Sequence, residues 1–267
     1  MKKSIYSRRD YLRQIAREKT LVKLTQILSI VAFLLLWEFC AHRDIIDPFI
    51  LSSPSRILRI FFVMAQSGLM THILYTVLET AVGFSLGVII GFSLAVWLWF
   101  SDFAHKVMAP FLVVLNSLPK IALGPVIIVW AGAGMSAIIV MAVAISLIVT
   151  VLELSGGFAA TDTNLLITVK SFGADRMECF TKIVLPYNIP VLFQSLKVNI
   201  GLSLVGVIAG EFLVSKAGLG YLIVYAGQVF KMDLVMMSVI LLGIIAFGMY
   251  SGVNFLEKTV GKTINHI

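Results

Sequence analysis

Four ionisable side chains stand inside or at the ends of apolar runs, where charge is costly: Glu79, Lys120, Lys197 and Glu211. An ion at the centre of a bilayer costs at least about 2.5 kcal/mol, so such residues face a cavity or a partner. The chemistry open to them is electrostatic: holding a charged solute or pairing with protein groups. Lys120 lies in the run Leu118-Pro119-Lys120-Ile121-Ala122-Leu123-Gly124-Pro125. Its two prolines and glycine predict a broken or kinked span, tolerated at membrane depth where backbone lines a cavity or is buried in protein. The Lys120 ammonium could attract an anion there, or it could pair with a carbonyl or with Glu79. Asn116, just before this run, is a further candidate to line such a cavity. Lys197 could face the cavity or snorkel to the nearby membrane surface. Glu211 precedes Lys216-Ala217-Gly218-Leu219-Gly220, whose glycines permit a tight turn, and it could serve a gate or a structural cap.

Hydrolytic or metal chemistry has no comparable support. His42, His72, His105 and His266 are scattered, and no glycine-rich phosphate loop is present. No catalytic residue and no metal site are expected, and no cofactor bound by the chain itself.

A second group of residues is set by spacing rather than charge. In TVKSFGADRMECFTKIVLPYNIP, Gly173 is followed by Ile183 and then Leu185-Pro186. Asp162 or Thr161 can cap a short helix through Phe172, and Gly173 suits a left-handed helix end. Asp175 and Glu178 have capping-box spacing, so a second helix should run through Ile183. Pro186 should push Leu185 out of the helical region and end it, while Pro190 can open the next span. Leu165, Val169 and Phe172 form an apolar stripe on an element expected to stand in water. Such a stripe packs on its own second helix or docks in a partner's groove.

The elements that position both groups are membrane helices. The chain is 59% hydrophobic and only 13% charged, with mean hydropathy +0.99, whereas soluble domains carry about 25% charged residues. Backbone in hydrocarbon must satisfy its own hydrogen bonds, and long non-alternating apolar runs select helices over barrel strands. Spans are expected near 22–40, 73–100, 107–131, 134–154, 188–210 and 234–256. Lys2, Lys3, Arg8, Arg9, Arg13, Arg17, Lys19 and Lys23 place the amino terminus in the cytoplasm by the positive-inside rule. Six spans then put both termini and the hairpin around 155–187 inside. The net charge of +7 belongs mainly to this tail and to anionic membrane lipid, not to nucleic acid. The first run, long and without a cleavage motif, reads as a retained anchor rather than a secretory signal. Cys40 and Cys179 fall on opposite sides and cannot pair. The outer segment SSPSRILRIFFVM should form an amphipathic helix in the membrane interface, with Ile57, Ile60, Phe61 and Met64 on one face. Gly83, Gly87 and Gly91 recur every four residues, as in close helix packing in lipid, and are assigned to packing within the chain. The expected organisation is a basic tail over 1–23 and a membrane domain over 24–267, with its core about 68–256.

The run GADRMECFTKIVLP resembles the cytoplasmic signature of ABC importer permeases, with Gly173, Ile183, Leu185 and Pro186 in register. LSSPSRIL, TVLETAVGFSLGVIIG, NSLPKIALGPVIIVWAGAG and GVIAGEFLVSKAGLGYLI are similar to the branch serving nitrate, sulfonate, taurine and thiamine-precursor uptake. The family's Glu-Ala-Ala triplet aligns with Ile167, Thr168 and Val169, so its acidic residue is missing. The resemblance implies an all-α type I importer permease of about six transmembrane helices with a cytoplasmic coupling-helix loop. It implies two ATPase subunits that hold the ATP and magnesium, an extracytoplasmic substrate-binding protein, a homodimer of this chain, and a bacterial cytoplasmic membrane. Glu211 could then also meet the binding protein. A self-sufficient secondary transporter or channel is the alternative, for which inverted repeats and paired intramembrane acids would be expected and are not apparent in the sequence.

Overall fold

The computed structural model describes residues 8–264. Lys2, Lys3 and His266 lie outside the described residues.

Apolar runs bounded by glycine, proline and polar caps become thirteen helices among the described residues. They are α1 (Arg8–His42), α2 (Pro48–Leu51), α3 (Pro54–Gln66), α4 (Leu69–Phe100), α5 (Asp102–Ser117), α6 (Gly124–Ala131), α7 (Met135–Ala159), α8 (Thr163–Ser171), α9 (Arg176–Cys179), α10 (Leu185–Tyr187), α11 (Ile189–Val214), α12 (Leu219–Gln228) and α13 (Met232–Ile264). A 3-10 turn, Lys120–Leu123, precedes α6, and a π-helical turn, Phe180–Val184, joins α9 to α10. Five helices are long and apolar enough to cross a membrane; a sixth crossing requires α5 and the Lys120–Ala131 segment to count as one, although they are bent by 85°. The run expected to span 107–131 is therefore broken at Leu118-Pro119. Pro119 has no N–H to continue the ladder, and Leu118 before it is extended (φ −67°, ψ 139°).

The centre of the bundle is α7, sandwiched between α4 and α11. Small residues set these contacts. A Cβ on Gly83, Gly87 or Gly91 would fall 2.6 Å from Ala142 Cβ, 2.1 Å from Ser146 Oγ and 2.7 Å from Thr150 Cβ. That constant offset fixes α4 parallel to α7 and shows the glycine ladder packing within the chain. On the other side Gly206 faces the Ala142 backbone and Gly210 faces Ile138, so α11 runs antiparallel to α7. In lipid, where apolar contact alone gives helices little reason to associate, such close approach supplies van der Waals attraction.

The α3 helix forms as its caps predict. Ser53 occupies the N-cap and Pro54 the first turn. Its apolar face is turned onto the protein, where Ile57, Ile60, Phe61 and Met64 join a core with Leu219, Leu222 and Met237. Asp233 at the start of α13 accepts a hydrogen bond from Ser52 Oγ at 2.7 Å and pairs with Arg56 at 3.4 Å. The expected interfacial helix is thus a strut between segments of the bundle. By contrast, α1 is almost uncovered along its apolar length and is one helix from Arg8 through the span. Both cysteines are free, and Cys179 is buried.

Candidate functional sites: a capped polar cluster and a tethered hairpin

The ionisable residues of the spans divide into three separate arrangements. Glu79 and Glu211, from α4 and α11, are each 1% exposed and interact side chain to side chain. The paired acids that were not apparent in the sequence are brought together by the packing of α4 against α11. What Glu211 does there is specific. Its Oε1 accepts the Thr76 hydroxyl at 2.6 Å and its Oε2 accepts the Gly220 N–H at 2.5 Å. The Leu219 N–H donates to Thr76 Oγ1 at 2.8 Å, and the Gly218 N–H donates to His72 Nδ1 at 3.1 Å.

Three successive amides at the start of α12 are therefore capped by three side chains from α4 and α11. The first amides of a helix have no partner within it, and a carboxylate there also meets the positive end of the helix dipole. Gly218 makes the approach possible, with φ +114° and a notional Cβ 2.3 Å from the Glu211 carboxyl. Of the roles open to Glu211, this geometry supplies the structural cap. Glu79 Oε2 has no hydrogen-bond partner among the described residues.

Lys120 does not reach Glu79. Its Nζ donates to the Asn116 carbonyl oxygen at 2.9 Å, with Asn116 Oδ1 at 3.3 Å. The last carbonyls of α5 lose their helical donors at the Leu118-Pro119 break, and the lysine takes their place. Beside it, Ile121, Ala122 and Pro125 face Val205, Ile208, Ala209, Phe212 and Leu213 of α11 across a groove of about 560 Å³. Lys197 is paired with Glu257 of α13 at 2.6 Å and lies 5.7 Å from the Tyr250 ring centroid. Its ammonium is held between helices, a partner that neither the cavity nor the snorkelling reading anticipated.

The hairpin follows its caps at the beginning and departs from them at the end. Asp162 caps α8 by accepting the Asn164 N–H at 2.8 Å. Gly173 carries φ +88°, and Asp175 and Glu178 form a complete capping box. The second helix does not stop before Pro186. Leu185 is helical (φ −64°, ψ −50°), and the preceding π turn absorbs the proline without a break. A wider turn shifts the i−4 carbonyl that a proline ring would otherwise strike. The helix is interrupted at Asn188, whose buried amide donates to Thr161 Oγ1 at 2.9 Å and to the Val184 carbonyl at 2.8 Å.

This hairpin is bolted to the bundle. Phe180 and Val184 sit in a core with Ala95, Leu154 and Phe158, with Leu166 and Leu185 packed against it. Arg176 donates to the Trp99 carbonyl and to Asp102, both at 3.0 Å, and lies over the Trp99 ring. On the outside, Phe172 is 87% exposed and Leu165 is also exposed, while Val169 and Ile183 are half-buried and Pro186 is exposed. The ends of the apolar stripe, Leu165 in α8 and Phe172 at its C-cap, are thus exposed together with Ile167, and Leu166, outside that stripe, provides the anchor.

Sequence reasoning missed Arg176, Phe180 and Asn188 as the residues that fix the hairpin. Phe180 and Val184 at i, i+4 were a visible signal; the Arg176 and Asn188 contacts span the fold and left none.

Glu178, outside the spans, is held below the ordinary carboxylate range by its hydrogen bond from Lys182, at 2.7 Å, and by the Asp175 amide. Lys182 is correspondingly raised, chiefly by the same bond.

The comparisons with known proteins agree with this architecture. The chain is 28% identical to a probable ABC transporter permease protein of Haemophilus influenzae, over 87% of this chain and 95% of that protein. It is 24% identical to the formylaminopyrimidine transport permease protein ThiX of Halalkalibacterium halodurans, over 73% and 77%. An inward-facing structure of the MetNI methionine ABC transporter superposes with TM-score 0.67 at 18% identity, covering 73% of this chain and 97% of that one. Residues 87–264 match the model for the binding-protein-dependent transport system inner membrane component. The chain belongs to that family and is an all-helical, multi-pass permease subunit of an ABC importer.

Proposed function

We propose that this permease passes a small organic solute inward and is driven through its hairpin by two separate ATPase subunits. The observation that carries the coupling role is Phe172, 87% exposed at the tip of a hairpin whose other side is fixed to the bundle. A rigid element with an uncovered apolar end transmits rigid-body motion from whatever grips it. Leu165, Val169 and Phe172 make the contact in this reading, and Gly173, Ile183, Leu185 and Pro186 shape its support. The ion pair that the missing acidic triplet would have offered plays no part. ATP and magnesium belong to the partner, and the permease performs no chemistry of its own.

The solute is assigned to the class of nitrate, sulfonate or taurine-like anions and thiamine-precursor pyrimidines, with the organic members preferred. The nearly apolar groove beside Lys120 supports this, since it offers a body of carbon atoms more than it offers an inorganic ion. Asn116, Lys120, Glu79, Lys197 and Glu211 are the candidates for the translocation path, with Lys197 and Glu211 also holding helices through an ion pair and a cap. The chain works as a homodimer with both termini cytoplasmic, and an extracytoplasmic binding protein delivers the solute to the α12 side. A basic tail over 1–23 precedes the membrane domain.

A gradient-driven carrier is the reading that the Glu79 and Glu211 pair would favour. Glu211 is committed to the α12 cap through both oxygens, which argues for structure. Purification from native membranes separates the two readings. Recovery of an ATPase subunit with the chain, lost in Leu165→Ala/Phe172→Ala, is the expected result. A chain that transports and carries no ATPase would refute the proposal.

A further inference from the structure

A cavity of about 470 Å³ lies behind the hairpin, between the α4–α5 turn, the end of α7 and helices α8 and α9. Its lining carries Lys106, Lys170 and Arg176 as cations and Asp102 as the one acid, with the His105 imidazole beside them. Asp102 is already engaged by Arg176. Lys106 and Lys170 enter no ion pair among the described residues and come from different elements, α5 and α8. The inner wall includes Trp99, packed with Phe180 at 5.0 Å, and the hydroxyl-bearing Thr163.

We propose that this cavity binds a phosphate-bearing group. Two lysines that have no carboxylate partner converge on one space from two helices, so the site carries uncompensated positive charge. An anion that offers several acceptor oxygens at once fits that arrangement better than a single carboxylate, because each ammonium can donate to a different oxygen. The volume exceeds what a bare anion fills, and the aromatic and aliphatic wall suits the glycerol and first methylenes of a lipid headgroup. Basic pockets between membrane helices on the cytoplasmic side hold anionic headgroups by the same physics. Bound there, the group ties α8 to α5 and stiffens the hairpin against the bundle. This inference does not depend on which solute is carried or on what grips Phe172.

Phospholipid and free phosphate share this chemistry, and one experiment separates them. The full chain, with any subunits it carries, is extracted in detergent and its retention of phosphatidylglycerol against phosphatidylcholine is read by native mass spectrometry. Inorganic phosphate is then added as competitor. Retention of phosphatidylglycerol, reduced about thirtyfold in Lys106→Gln/Lys170→Gln and kept in Lys19→Gln/Lys23→Gln, is the expected result. Lys106→Arg/Lys170→Arg should restore it. No displacement by inorganic phosphate assigns the site to lipid; displacement, with binding of inorganic phosphate that the glutamine variants lose, assigns it to free phosphate. If the double variant aggregates, each single glutamine variant should still lose about fivefold. Binding of both probes unchanged by the glutamine substitutions would overturn the site.

Discussion

Replacing Gly218 by alanine should destabilise the permease by about 3–6 kcal/mol, from two sources that can be separated. An L-residue at φ +114° costs about 1–2 kcal/mol in backbone strain. The new Cβ would also stand 2.3 Å from Glu211 Cδ and Oε1 and 2.5 Å from Oε2, so the carboxyl must leave. Its departure frees the Gly220 amide and the Thr76 hydroxyl in a buried place, at about 1–2 kcal/mol each towards the lower end of that penalty. A loss of this size should lower Tm by roughly 6–20 °C. Labelling of Cys179, which is buried, with a thiol-reactive fluorophore during heating reports unfolding in a Cys40→Ser background. Gly227→Ala is the matched control. It lies in the same helix with open space around its Cβ, and should be neutral or stabilising by about 0.5 kcal/mol. Because strain and displaced cap have different origins, Gly218→Ala combined with Glu211→Ser should cost less than the sum of the two alone. A fall in Tm of less than about 2 °C for Gly218→Ala would refute the account of the α12 cap.

Three further outcomes follow from the same geometry. Phe172→Ala should lower solute-stimulated ATP hydrolysis by about tenfold to a hundredfold while leaving Tm nearly unchanged, because the ring is exposed and contributes little to the fold. Gly206→Ala, whose Cβ would meet Ala142 backbone at 2.6 Å, should cost about 1–3 kcal/mol in the same melting assay; Gly201→Ala, with open space, should cost little. Hydrogen exchange at the hairpin should respond to pH in a definite direction. Glu178 is lowered in the folded state from 4.5, so its contribution is present above that value and is lost as pH falls through the folded pKa. Lys182 is raised from 10.5, so its contribution is present below that value and fades as pH rises through the folded pKa. Protection of the Asp175 amide, which donates to Glu178 Oε2, should therefore be flat through neutrality and fall only in acid below the ordinary carboxylate range or in strong base; a transition near neutral pH would contradict it.

The membrane character, most spans, the hairpin caps and the glycine ladder were legible because each rests on local spacing. Gly173 and the Asp175–Glu178 box needed nothing beyond neighbouring residues, and the structure reproduces both. The 85° bend after Ser117 was legible as a break but not as a right-angle turn, since the angle depends on how α6 meets α7. Leu185-Pro186 misled for an instructive reason: the local rule against helix before proline yielded to a π turn anchored by Phe180 and Val184. The α12 cap was legible only as one of the roles open to Glu211, without its partners. Thr76, Glu211 and Gly220 meet only when α4 and α11 have packed, and a polar residue in a span offers no sign of which amide it will cap. The same holds for Lys197, whose partner Glu257 lies sixty residues on.

The central claim is that energy enters this permease from a separate ATPase gripping the hairpin. Accumulation of radiolabelled solute by proteoliposomes containing the complete complex tests it most directly. The account predicts accumulation that requires hydrolysable ATP on the hairpin side, persists when ion gradients are collapsed, and is lost in Leu165→Ala/Phe172→Ala. Accumulation driven by an imposed ion or proton gradient in the absence of ATP would contradict it.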